Sequence, residues 1–310
     1  MPARIALLVT SPRLPAGLLA AAAWDLVRAR PVFTAAESGQ AGALRAAGVP
    51  VTVTGDPVHT LLSTGDSVWL AGPDGDPELA AQLRQAGARV EVVQGSWDPP
   101  GARLLDVVSV MDRLASPGGD PWKLAQTHES LARFLLEEAY EALDAIASGD
   151  RDALREELGD VLLQVVLHAR LASNQPGGWS IDEVAGDLAE KMIRRNPHVF
   201  AGAPTRDIEE ITQEWERIKR EEKARGSALD GIVYTQPALA LATKIISRAR
   251  RSGAELDLPA GDGLGERLLR TAAEAQQRDE DAEGALRAAA LRLADAIRAR
   301  EGARKLSDTR

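Results

Sequence analysis

Glu137, Glu138 and Glu141 stand together near the middle of the chain, and Glu157 and Asp160 answer them a short distance downstream. With about 100° between successive helical residues, the first three project into one arc, and the second pair, three apart, shares a face of the next helix. Carboxylates gathered in one pocket repel and raise each other's pKa, so a hard, oxygen-preferring divalent cation is their natural occupant. The apolar residues around them sharpen this reading. Leu131, Phe134, Leu135, Ala142, Ala145 and Ile146 span a face of about 120°, with Glu138 inside it and Glu141 at its edge. In the next helix Leu158, Val161, Leu162, Leu163, Val165, Val166, Leu167 and Leu171 cover most of the circumference, leaving a polar stripe of Glu157, Asp160, Gln164 and His168. Charges turned toward a helical interior are costly unless paired or metal-bound, so the pattern predicts a site. The plainer alternative is an exposed acidic face paired with Arg133, Arg151 and Arg155.

The residues then carry a family likeness. Pro121-Trp122, Gln126 to Leu131, Leu136 to Glu141, Glu156 to Asp160, Arg194 to Phe200, Trp215 to Lys219, Ser227 to Ile232 and Gln236 to Leu239 follow one another in an order that resembles the MazG family of nucleoside triphosphate pyrophosphohydrolases. An isolated EExxE would carry little weight, but the second acidic pair and the Arg-Arg-Asn-Pro segment restrict the match. The resemblance implies an all-α catalytic module that cleaves a nucleoside triphosphate to the monophosphate and pyrophosphate with Mg²⁺, or Mn²⁺ as substitute. It implies Glu138, Glu141, Glu157 and Asp160 as metal ligands. Glu137 matches the leading acid of the motif, either orienting or deprotonating the attacking water, or buttressing the ligands. It also implies homodimer or higher homo-oligomer assembly and nucleotide-pool housekeeping, and the composition agrees with a cytoplasmic enzyme.

A triphosphate needs further positive charge. Lys191, Arg194 and Arg195 fall in a helix that Asn196-Pro197 should end, placing cations at a helix terminus where they either clamp phosphate oxygens or simply complement the helix dipole. Trp215 and Lys219, one turn apart, either stack on a base and reach a phosphate or form an ordinary buried indole with a solvated lysine.

Composition narrows the classes. The chain of 310 residues has a formal charge of −9 and no cysteine, which excludes disulfides and thiol chemistry and fits a reducing compartment. The negative balance and the lack of a basic, aromatic-rich patch argue against polymeric nucleic acid as partner, while leaving mononucleotides open. The apolar stretch Leu18 to Trp24 is short and runs amphipathically into Asp25-Leu26-Val27-Arg28, as a globular helix does. No run approaches the roughly 20 apolar residues that span a bilayer.

These elements imply three parts. Residues 1–105 alternate β-rich runs (Ile5 to Val9, Val51 to Val53, Ser67 to Leu70, Val90 to Val93) with helical stretches, a parallel α/β pattern that ends near Asp98-Pro99-Pro100-Gly101. This part weakly resembles a shortened tetrapyrrole methylase domain. Thr10-Ser11-Pro12-Arg13 stands where that family carries a glycine-rich loop near S-adenosylmethionine, and no glycine precedes Gly17, so a non-catalytic role is expected. Residues 106–250 form the MazG-type four-helix module, with turns near 116–121, 148–150 and 174–178. Residues 251–310 read as a degenerate helical copy lacking the acidic motif, with a polar tail from Gly302 expected to fray. Two other classes compete with the hydrolase. A di-iron carboxylate bundle needs Glu-x-x-His pairs, and none of His59, His128, His168 or His198 has Glu three residues earlier. A non-catalytic helical scaffold or regulatory nucleotide-binding protein would use the acids as a solubilising face.

Overall fold

The computed structural model describes residues 2–202, 207–222, 227–253 and 256–307. The described residues gather into two compact units, 1–189 and 190–310.

The first unit begins with an alternation of strands and helices: β1 (Arg4–Val9), α1 (Ala21–Ala29), β2 (Val32–Thr34), α2 (Gly39–Ala46), β3 (Val51–Val53), α3 (Pro57–Thr64), β4 (Ser67–Leu70), α4 (Pro77–Gln85) and β5 (Arg89–Gln94). The strands form one parallel sheet in the order β3-β2-β4-β1-β5. Because side chains alternate across a strand, β1 feeds two cores. Ala6 and Leu8 pack with Ala23 and Val27 of α1 and Ala41 and Leu44 of α2. Ile5 and Leu7 pack on the opposite face with Leu61 of α3 and Leu79, Ala80 and Leu83 of α4. The four strands foreseen are present; the short β2, buried along its whole length, was not, since Val-Phe-Thr is too brief for periodicity to reveal.

The loop after β1 is closed by side chains. Arg13 donates to Asp106 Oδ1 at 2.8 Å and also pairs with Asp98, to which Ser11 Oγ donates as well. These contacts raise the arginine's pKa and hold both aspartates below their ordinary range, the hydrogen bond between Arg13 and Asp106 being the leading cause for that pair and the one from Ser11 for Asp98.

The unit continues with α5 (Arg103–Leu114), the short α6 (Pro121–Leu124), α7 (His128–Ser148), α8 (Arg151–Ser173) and α9 (Ile181–Arg195), the unit boundary falling inside α9. Met111 and Ala115 meet Leu131 of α7 and Val166 and Leu167 of α8, with Ile181 packed at the margin. The apolar face read along α7 is only partly covered within one chain: Leu135 is 38 % exposed and Ile146 59 %.

In the second unit follow α10 (Pro197–Phe200), α11 (Ile208–Glu221), α12 (Ala238–Arg251), α13 (Leu264–Gln277) and α14 (Ala282–Ser307). Ile246 of α12 packs against Ala272, Ala273 and Ala275 of α13 and Ala282 of α14. The tail expected to fray is helical to Ser307, and residues 308–310, like Glu255 near the start of the expected copy, lie outside the described residues. Among the described residues no helix is long and apolar enough to cross a membrane.

Candidate metal centre

The acidic residues converge because α7 and α8 form an antiparallel hairpin whose ends are defined locally. Thr127 caps α7 by accepting from the Ser130 backbone, while Ser130 Oγ accepts in return from the Thr127 backbone, a reciprocal capping box. Gly149 ends α7 at φ 72°, a left-handed conformation that glycine adopts without steric cost. Asp150 then accepts from the backbones of Asp152 and Ala153 to start α8. A two-residue connection therefore folds Glu157 and Asp160 back alongside Glu138.

One carboxylate oxygen each from Glu138, Glu157 and Asp160 lies within 4.8 Å of the other two, and all three residues are half-buried. Glu141, more exposed, acts on both Glu138 and Glu157 through its charge. Burial pushes the Glu138 carboxyl above its ordinary pKa, reinforced by the charges of Asp160, Glu141 and Glu137. Glu157 is raised by the same causes, desolvation first and then Glu141 and Asp160. A pure oxygen donor set whose members repel one another fits a hard divalent cation. Glu137 is exposed at the rim and acts on Glu138 through its charge.

The expected cationic residues meet in the second unit. Arg195, 8 % exposed, donates from Nε and Nη2 to Glu222 at 3.1 and 2.5 Å, and Arg194 Nε donates to the same carboxylate at 2.7 Å. Those two arginines, Arg195 first, hold Glu222 down at about 2. Two cations lie over the Trp215 ring, Arg195 Cζ at 5.1 Å from its centroid and Lys219 Nζ at 4.4 Å. Lys191 lies one turn before Arg195 on α9, half-buried. The carboxylate group and the cationic group thus each assemble within their own unit.

Glu222 escaped the sequence reading, although its place three residues after Lys219 put it on the same face of that helix. The pairing of His128 Nδ1 with His168 Nδ1 at 2.7 Å was also missed, because the two lie forty residues apart and only the hairpin brings them together.

The chain is similar to known proteins. Residues 126–200, which include all five acids and Lys191, Arg194 and Arg195, match the MazG nucleotide pyrophosphohydrolase domain. A Streptomyces cacaoi protein of 26.1 kDa, itself uncharacterised, is 47 % identical over 243 residues, 75 % of this chain and 100 % of that protein. The nucleoside triphosphate pyrophosphohydrolase of Mycolicibacterium smegmatis is 39 % identical over 285 residues, 90 % of this chain and 75 % of the relative. That of Mycobacterium tuberculosis is 42 % identical over 229 residues, 74 % and 67 % of the respective chains. With likeness of that extent to named relatives and a domain match centred on the carboxylate hairpin, this chain belongs to the MazG family of nucleotide pyrophosphohydrolases.

Proposed function

We propose that this protein hydrolyses nucleoside triphosphates to the nucleoside monophosphate and pyrophosphate, with Mg²⁺ as its cation and Mn²⁺ as an effective substitute. The observation that carries the reading is the convergence of Glu138, Glu157 and Asp160, with the charge of Glu141 acting on the two glutamates, on a hairpin inside the matched domain. These four would hold the metal. Bound there, a divalent cation would supply Lewis acidity toward phosphoryl oxygens and neutralise their charge. Glu137, exposed beside the ligands, either orients and deprotonates the attacking water or supports Glu138. The same reading makes Lys191, Arg194, Arg195, Trp215 and Lys219 substrate-binding residues, with the cations as partners for phosphate oxygens.

The same reading assigns the catalytic module to residues 106–250 as a four-helix unit, a degenerate helical copy to 251–310, and a non-catalytic role to residues 1–105, whose methylase-like loop is filled by Arg13, Asp98 and Asp106. Housekeeping of the cytoplasmic nucleotide pool is the role that suits a homodimeric enzyme of this chemistry. The test is release of pyrophosphate from mixed nucleoside triphosphates in Mg²⁺ and in EDTA. Stoichiometric monophosphate and pyrophosphate in Mg²⁺, abolished by EDTA, is expected. Nucleotide binding without turnover would replace the hydrolase with a regulatory binding protein.

A further inference from the structure

Three buried side-chain polar atoms among the described residues have no hydrogen-bond partner, and two of them, Gln164 Oε1 and His168 Nε2, lie one helical turn apart on α8. Gln164 is 4 % exposed, in a helix whose other buried positions are apolar. A polar group withdrawn from water without a partner destabilises the fold, so such atoms on one face call for an account. Their position suggests one. Asp160, Gln164 and His168 recur every four residues, so at about 1.5 Å per residue they trace a line of roughly 12 Å from the candidate metal centre. At its far end the His168 ring lies within 2° of parallel to that of His128, and the centroid of the Trp179 ring is 6.4 Å from that of His128, the two planes at 21°.

We propose that Gln164 and His168 read the base of the nucleotide whose phosphates are held at the carboxylates, an inference that rests on the hydrolase reading above. The orphaned atoms specify the chemistry. Gln164 Oε1 needs a donor, which a fully ionised phosphate does not have and an amino or imino N–H does. His168 Nδ1 is engaged by His128, so its Nε2 carries the complementary function, donating if Nδ1 accepts and accepting if Nδ1 donates. A ligand edge with an N–H beside a second polar atom is what a nucleobase presents, and the flat rings of His128 and Trp179 give its faces something to lie against. Sites that hydrogen-bond a substrate group reject analogues lacking it, because the protein's own polar atoms are then left unpaired.

The experiment uses the full chain and measures kcat/KM for pyrophosphate release from the four ribonucleoside and four deoxyribonucleoside triphosphates at saturating Mg²⁺. The native enzyme should discriminate among bases, and Gln164→Leu should compress the spread by about tenfold or more while the Mg²⁺ concentration for half-activation stays unchanged. A flat native profile, or a variant in which every substrate falls by one common factor, overturns the proposal in favour of a trapped water bridging the two atoms. Should Gln164→Leu fail to fold, imidazole ¹⁵N NMR on the native protein, which has four histidines, decides. The Nε2 resonance of His168 should move on adding nucleoside monophosphate and stay in place with inorganic pyrophosphate. No shift with any of the four monophosphates overturns the proposal. Because that measurement needs no turnover, an inactive native protein would end the hydrolase reading without deciding the base contact.

Discussion

Glu138 and Glu157 are the most informative single residues because their environment disfavours the charge they carry. Both carboxyls sit above their ordinary range through burial and through neighbouring acids. A carboxyl raised in the fold stabilises it fully below the unfolded pKa and loses that contribution as pH rises through the folded value, so at neutral pH the metal-free cluster strains the hairpin. Glu138→Gln, Glu141→Gln, Glu157→Gln and Asp160→Asn should therefore each lower turnover on the order of a thousandfold, since several kcal/mol of transition-state charge stabilisation go with the cation. The same changes should leave thermal unfolding in EDTA unchanged or shift it upward. Pyrophosphate release against Mg²⁺ concentration, with melting curves in EDTA, measures both. Near-native turnover at low Mg²⁺ in two or more variants would remove the metal assignment. The residue types and spacing made this cluster legible; Gln164 and His168 showed in sequence only as polar members of an apolar helix, since a missing partner is a property of surroundings.

The helices that present these groups announce themselves by local chemistry. Thr127, Gly149 and Asp150 mark the ends of the hairpin, and Asn196-Pro197 stops α9 after Arg195. The pairing of α9 with the end of α11 was not legible, because it depends on Glu222 meeting two arginines distant in sequence. That contact has a pH signature. Glu222 is lowered from the ordinary 4.5 to about 2, so its contribution to folding is complete above about pH 4.5 and disappears as pH falls through 2. Native protein should lose hydrogen-exchange protection around Trp215 across that interval. Glu222→Gln should show the weakened protection already at pH 6 and little further change on acidification. Equal acid sensitivity in the two proteins would mean that the ion pair does not hold these helices together.

Taken whole, the chain leaves apolar side chains uncovered on its hairpin: Leu136, Leu143, Ile146 and Leu158 are all 47 % exposed or more. A single-chain core that stops at Leu131, Val166 and Leu167 leaves this stretch for another surface, and a second copy is the simplest occupant under closed symmetry. Sedimentation at micromolar concentration should give a dimer or larger species, and Ile146→Glu with Leu143→Glu should shift it toward monomer and reduce activity. A fully active native monomer would defeat this expectation.

The sequence alone determined which side chains could act and on which helical faces they lie, because periodicity, caps and turn residues are local and leave their mark in neighbouring letters. It also determined the parallel α/β character of the first hundred residues, through alternating apolar strands and helices. Tertiary structure decided the rest: that Glu138, Glu157 and Asp160 come within 4.8 Å, that Glu222 occupies the arginine fork, and that Gln164 and His168 are buried without partners. Those are consequences of distance and desolvation between separate segments of the chain, and both come into being only when the helices pack.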